Sequence, residues 1–566
     1  MNRLISGARS PPTGADPALI FPRLPNQYLS SSPTPPSSIS FSFLFLPSQA
    51  HLPQTHPITP PPSTMPLLLL FLLLSLLPIS LSQPKATLIN CGAEVESEID
   101  GRQWLPDSSF LSGAGTSKTL NNSGLVPILS TLRSFPNVPG RKYCYNVQVY
   151  RNAKYMIRTT YYYGGINGQT SPPVFDQIID GTLWAVVNTT EDYVNDRSSY
   201  YEGVFLAQSK TMSVCVGANT YTDSDPFISA LEFVIVGDSL YNSTDFKVNG
   251  LSLVARHGFG YNGPMIRYPD DQFDRFWEPF GETKLNDSSN ANVSVSGLWN
   301  LPPLKIFESE LTTNQLHAIV LSWPPKQVQD ANYYIALYFA DSRDRVFDVT
   351  INGVLYYKDL NVTEAGLVVY STKWPLAGST DITLTPSAGS VLGPSISAGE
   401  AFQVLPLRAR TLTRDVIALQ KVKESLENPP PNWNGDPCLP RQYTWTGITC
   451  SGVRVVSLNL TSMGLSGSLS PNIANMTALS DIWLGNNNLS GPIPDLSQLK
   501  ILETLHLEDN QFSGAIPSSL GNIESLRELF LQNNNLTGQV PNSLTGKPGL
   551  DLRFSPGNSL SAPPPS

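Results

Sequence analysis

The sequence predicts a mainly β protein: two tandem antiparallel sandwiches, then a short solenoid of repeats with an N-terminal cap. Three observations predict it. Residues 83–405 alternate short β-branched and aromatic runs (LEFVIVG, KYMIRTTYYY, TLWAVV, YYIALYFA, RVFDVTING) with turns rich in Gly, Asn, Asp and Pro. From Val455 a leucine pattern returns at a nearly constant interval. An almost unbroken aliphatic run marks the segment 65–82, MPLLLLFLLLSLLPISLS, and all five cysteines follow it.

Leu67 to Leu77, followed by small residues at alternate positions, reads as a secretory signal peptide cleaved after Ser82. The run falls short of the ~20 residues a membrane-spanning helix needs, and it has no polar face for a core helix. Residues 1–64 are rich in Pro and Ser (SPTPPSS, TPPPST), with Arg3, Arg9 and Arg23 against one acid, Asp16. That composition cannot bury a core, so a disordered extension is expected. It is either a transit peptide or sequence upstream of a true start at Met65, the reading adopted here.

Glycosylation sequons favour the secretory route. They stand at Asn121, Asn188, Asn242, Asn286, Asn292, Asn361, Asn459, Asn475, Asn488 and Asn535, and none precedes Met65. Those at Asn488 and Asn535 arise partly from the repeat. The expected location is extracellular or at the cell surface. No second apolar run of spanning length follows residue 82, and the Pro-rich tail 556–566 looks like a juxtamembrane linker cut short. A plasma-membrane anchor would require a helix beyond this sequence.

The formal net charge of −9 and the absence of a Lys/Arg run argue against a nucleic-acid partner. Residues 83–566 suffice for two to four domains of roughly 100–200 residues each.

The pattern L-x-x-L-x-L-x-x-N-x-L-x-G-x-[IV]-P fits three times: Leu479 to Pro494, Leu502 to Pro517, and Leu526 to Pro541. An earlier copy starts at Val455, with Met463 in place of Asn, and a decayed fifth starts at Leu550. In L-x-L both leucines of a short strand point inward, each contributing roughly 1.5–3 kcal/mol on burial. The Asn bonds turn backbone that would otherwise be unsatisfied. One rung cannot cover its own core, so rungs stack and need caps. WNGDPCLPRQYTWTGITC is the cap, with Cys438 and Cys450 closing a short loop. TRDVIALQKVKESL, from Thr413, places Val416, Leu419, Val422 and Leu426 on one helical face beside it.

The L-x-G-x-I-P half-repeat and the W-x-G-x-x-C cap resemble the plant extracellular leucine-rich repeats, over about residues 413–555. Within 83–405, YYIALYFADSRDRVFDVTINGVLYY resembles the core of a malectin-like domain. Phe339-Ala340-Asp341 sits where that family has Phe-Ala-Glu, and Arg345, Phe347, Asp348, Asn352 and Gly353 fit R-x-F-(D/N)-x-x-x-N-G. INCG, RKYCY and RYPDDQFDRFWEP look like other parts of tandem malectin-like ectodomains. The expected division is malectin-like domains at 83–250 and 251–405, helix and cap at 413–450, and repeats at 451–555. The order resembles the plant malectin-like leucine-rich-repeat receptors, without their kinase. It implies a non-catalytic recognition protein whose partners are a cell-wall carbohydrate or secreted peptide and a receptor kinase or other cell-surface protein. A secreted scaffold or co-receptor is the alternative, and a glycan-active hydrolase the remote one. No cofactor or metal is implied.

RHGFGYNG contains G-x-G-x-x-G at Gly258, Gly260 and Gly263, but Pro264 and a β-rich context follow. It reads as a turn between the sandwiches, not a dinucleotide loop. Asp270, Asp271, Asp274 and Glu278 either serve a glycosidase or pair with Arg267 and Arg275 and cap turns, the preferred reading. Only His257, His317 and His506 follow the signal peptide, without H-E-x-x-H, C-x-x-C or G-x-S-x-G. Tyr161, Tyr162, Tyr163, Asn167, Trp184 and Tyr201 are the sugar-binding candidates, with sandwich core as the plainer alternative. On the concave face of the repeats, the position between the inward leucines brings Asn459, Trp483, His506 and Phe530 into one column. Trp483, His506 and Phe530 are the partner-binding candidates. One of Cys91, Cys144 and Cys215 is left unpaired.

Overall fold

The structure is a computed structural model describing residues 85–111, 115–122, 124–168, 170–281, 291, 293–313 and 315–561, with two short strands, Leu19–Phe21 and Asn286–Ser288. The signal segment lies outside the described residues. Of the extension, only Leu19–Phe21 is described. It is a strand, paired antiparallel with Val368–Tyr370.

Residues 86–406 form two sandwiches built around one continuous sheet. Leu367–Gly378, Val328–Phe339, Ala398–Pro406, Asn249–Phe259, Ser199–Leu206, Lys154–Tyr161, Ala230–Val236 and Ala86–Asn90 lie side by side in that order. A second sheet (Thr182–Val187, Phe175–Ile179, Thr211–Gly217, Lys142–Gln148) closes the first sandwich. Another (Ile319–Ser322, Asp381–Pro386, Arg345–Ile351, Val354–Val362) closes the second. Side chains of the continuous sheet alternate between two faces, both largely buried. On one, Met156, Val204, Tyr338 and Phe402 pack with Tyr241, Trp277 and Phe307. Those of the other turn into the sandwiches. They fill separate cores, one around Ile157, Phe175, Val214 and Phe233, the other around Trp323, Leu337, Phe347 and Leu384.

The join is a strand. Asn249–Phe259 pairs through Gly203↔Ser252 and Val204↔Leu251 with the first sandwich, and along most of its length with Ala398–Pro406 of the second. The expected boundary at 250/251 falls inside it. RHGFG is correspondingly not a turn: Arg256 to Phe259 end this strand, and Arg256, His257 and Phe259 are buried. The chain turns at Gly260, whose φ is +72°. A Cβ there would stand 2.4 Å from the Glu310 carbonyl oxygen, so glycine is required on both counts.

Helix Thr413–Ser425 buries Ala418, Leu419 and Val422. The cap follows, with Trp433 stacked on Trp445 at 5.2 Å and Cys438 bonded to Cys450. Parallel strands Arg454–Asn459, Asp481–Trp483, Thr504–His506, Glu528–Phe530 and Asp551–Arg553 form the repeat sheet, so the decayed fifth copy is a real rung. Asn487, Asn510, Asn534 and Asn558 form a ladder. Asn510 donates to the carbonyls of Leu484, Leu507 and Glu508 and accepts from the Leu489 N–H. Each Asn thus ties its rung to the one before.

The cap rests on the first sandwich. Lys142 Nζ is buried and donates to the carbonyls of Asp436 and Leu439, each at 2.6 Å. The Tyr443 hydroxyl donates to Asp176 Oδ2 at 2.8 Å, beside the Cys144–Cys215 disulfide. Cys91 is the unpaired cysteine, and it is buried.

Candidate recognition surfaces

The tyrosine cluster of the first sandwich lies inside it. Tyr161, Tyr162, Tyr163 and Trp184 are all at most 5% exposed. Tyr161 donates to Gln177 Oε1 at 2.7 Å, Tyr162 to Asp196 Oδ1 at 2.7 Å, and Trp184 Nε1 to Ser252 Oγ at 3.0 Å. Tyr201 is half-buried edge-on against Tyr161, and Asn167 bonds Ser224. The aromatic faces a sugar ring would need are covered at Tyr161, Tyr163 and Trp184, so these residues pack as core.

The acids of YPDDQFDRFWEP are engaged by neighbours. Asp271 accepts from Arg275 Nε and Trp277 Nε1, both at 2.9 Å. Asp274 holds Arg267 and Arg102, Asp270 pairs with Lys305, and Glu278 accepts from the Tyr200 hydroxyl at 2.7 Å. Buried acids so bonded serve as turn caps and countercharges. Nearby, His257 Nδ1 accepts from Trp323 Nε1 at 3.0 Å. Burial, with Arg256 beside it, lowers its pKa to about 4. Among the described residues no group of three or more His, Cys, Asp or Glu is placed to hold a metal ion.

Sequence reasoning missed a file of charges crossing the seam. Glu232, Arg158, Glu202, Arg256 and Glu400 lie on five adjacent strands of the continuous sheet, alternating in sign. Successive contacts are 3.3, 2.6, 2.7 and 2.8 Å. Every member is at most 4% exposed. The Arg256 carboxylate partners hold its guanidinium pKa above the ordinary value despite burial, and the neighbouring arginines keep Glu400 below its own.

The concave column of the repeats forms in register: Asn459, Trp483, His506, Phe530 and Arg553. The His506 ring stacks on Phe530 at 4.0 Å and 15°, and the Arg553 guanidinium lies 4.0 Å over the Phe530 ring. His506 Nε2 is 3.0 Å from Glu528 Oε2, and Arg553 Nη2 is 2.6 Å from Asp551 Oδ2. Trp483 is half-buried, and among the described residues its indole pairs with no other ring. Arg553 escaped the sequence reading because the fifth rung has decayed. Laying L-x-L over DLR would have found it. Of the sequon residues, Asn121, Asn188, Asn242, Asn361, Asn459, Asn488 and Asn535 are exposed, while Asn475 is half-buried. The Asn292 residue and the Asn286 side chain lie outside the description.

Comparison with known proteins agrees with this architecture. The Malectin-like domain family matches residues 89–404, the Leucine rich repeat N-terminal domain 412–451, and Leucine Rich Repeat 502–523 and 525–546. A probable LRR receptor-like serine/threonine-protein kinase of Arabidopsis thaliana, At1g67720, is 31% identical over 77% of this chain and 50% of its own length. Another, At2g14510, is 30% identical over 66% of this chain and 45% of its own length. The chain spans about half the length of the curated relatives it matches. The ANX2 ectodomain of Arabidopsis thaliana is similar in structure at 14% identity, covering 56% of this chain and 97% of that one, with a TM-score of 0.48. With more than half of its residues matched by that family and a leucine-rich-repeat module behind them, the chain belongs to the malectin-like proteins and has the build of a malectin-like LRR receptor ectodomain.

Proposed function

We propose that the chain is a non-catalytic recognition protein of the secretory pathway, acting at the cell surface or outside the cell. In this reading its malectin-like pair binds a carbohydrate or secreted peptide, and the concave face of the repeats docks a protein partner such as a receptor kinase. The observation that carries it is the column Trp483, His506, Phe530 and Arg553, which leaves large aromatic side chains partly open to solvent on the face of a sheet. Aromatic residues and Arg are the usual anchors of protein interfaces. The kinases among the relatives extend well beyond the region matched here, so their catalytic activity is not assigned to this chain.

Burial of Tyr161, Tyr163 and Trp184 favours a second reading, a scaffold or co-receptor working only through protein contacts. One experiment separates the two. The full chain is immobilised and offered plant cell-wall oligosaccharides in one arm and receptor-kinase ectodomains in the other. Saturable oligosaccharide binding supports the first reading. Ectodomain binding alone, lost in Trp483→Ala and Phe530→Ala, supports the scaffold. Ectodomain binding that survives both changes removes the concave face from the account.

A further inference from the structure

The Trp483 rung differs from the rungs below it. At Phe530 the column is completed from within the chain: Arg553 covers the ring and Asp551 holds the guanidinium. At His506, Glu528 supplies the carboxylate. At Trp483 the acids are present without a cation. Asp481 and Trp483 share the concave face of their three-residue strand, and Gly485 follows just beyond its end. Glu508, from the next rung, leans back over Gly485 so closely that a Cβ there would lie 2.5 Å from Glu508 Oε1. Glycine at 485 is therefore what lets this carboxylate reach the Trp483 rung. Among the described residues neither Asp481 nor Glu508 forms a close ion pair, Arg553 acting on Glu508 only through the longer-range field, and Glu508 Oε2 is buried without a hydrogen bond.

An aromatic face with carboxylates on both sides is the environment a guanidinium or ammonium group seeks. The ring quadrupole attracts the cation and the acids supply countercharge and acceptors. The Arg553–Phe530–Asp551 arrangement is the same contact already made within the chain. Resting on the docking role proposed for this face, we infer that the Trp483 rung is the receiving site for a lysine or arginine side chain of a polypeptide partner, seated on the indole between Asp481 and Glu508. A partner segment running along the column would present that cation opposite Trp483 and neutral or apolar side chains toward Phe530, whose ring is already covered.

The test uses the full chain and a random-peptide display library as the probe. Recovered peptides are titrated calorimetrically against the wild type, Trp483→Ala, Phe530→Ala and the isosteric Glu508→Gln, with thermal unfolding to confirm that each variant folds. The expected result is enrichment of Lys- or Arg-bearing peptides whose affinity falls about tenfold in Trp483→Ala. Glu508→Gln should weaken them as well, and so should added salt. Peptides without a basic residue that still depend on Trp483 would overturn the inference while leaving the docking role standing. Binding indifferent to both Trp483→Ala and Phe530→Ala, or no peptide recovered, would overturn both.

Discussion

Arg256 Nη1 lies 2.7 Å from Glu202 Oε1, and this contact joins the strand shared by the two sandwiches to its neighbour in the first. Glu202 stands between two guanidiniums, Arg158 and Arg256, all three essentially without solvent. Removing it leaves both buried charges short of a partner, which costs about 3–5 kcal/mol. Glu202→Ala is therefore expected to destabilise residues 85–406 by that amount in chemical denaturation. A double-mutant cycle with Arg256→Ala should show strong coupling. A loss below about 1 kcal/mol would mean that the file of charges contributes little beyond packing.

Acid should act through His257. Its folded-state pKa of about 4 lies below the ordinary 6.5 because burial and Arg256 disfavour the cation. Its Nδ1 must also stay unprotonated to accept from Trp323. Between these values the unfolded chain binds a proton that the folded chain does not. Stability is thus retained above about pH 6.5 and lost as pH falls toward 4. His257→Asn should flatten this part of the stability profile relative to wild type. An unchanged slope would assign the acid sensitivity elsewhere.

The asparagine ladder predicts a local effect. Asn510→Ala removes three donated bonds and one accepted bond. The carbonyls of Leu484, Leu507 and Glu508 keep donors in Asn487, Asn534 and the Asn486 N–H, and the Leu489 N–H loses its acceptor. Even one group left buried and unsatisfied costs about 1–3 kcal/mol. Hydrogen exchange should rise at the flanking rungs while the sandwiches stay protected. Uniform change across the chain would argue against a local role.

Cap docking predicts a response to alkali. Burial lowers the Lys142 pKa to about 7, with the Asp436 carboxylate opposing the shift. The unfolded chain keeps its proton up to about 10.5, so this group adds stability as pH rises from about 7 toward 10.5. Comparison of wild type with Lys142→Met should show that slope only in the wild type. Tyr443→Phe, which removes the bonds to Asp176 Oδ2 and the Ala218 carbonyl, should increase proteolysis between residues 406 and 413. Resistance equal to wild type would show that apolar contact alone holds the cap.

The repeats were legible because their information is local. Leu505, Leu507 and Asn510 stand at fixed offsets that any rung repeats, and the fifth rung kept enough of them in Leu552 and Asn558 to fold. The seam was not legible. Glu202 and Arg256 are 54 residues apart, and Arg256 and Glu400 are 144 apart. Nothing near any of them marks it as a member of one file. The glycines of RHGFG pointed to a turn, and the pairing of Arg256 with Glu202 and Glu400 overrode that local preference. For the tyrosines, β-propensity alone did not distinguish an inward from an outward face. Tyr161 and Tyr162 are tied to Gln177 and Asp196, and Trp184 to Ser252, all on other segments.

The strand Asn249–Phe259 has a mechanical consequence. With backbone bonds to one sandwich on one edge and to the other sandwich on the opposite edge, it leaves no slack segment about which the halves can swing. Bending between the sandwiches would have to break the pairs of this strand, while Lys142 and Tyr443 hold the cap to the first sandwich.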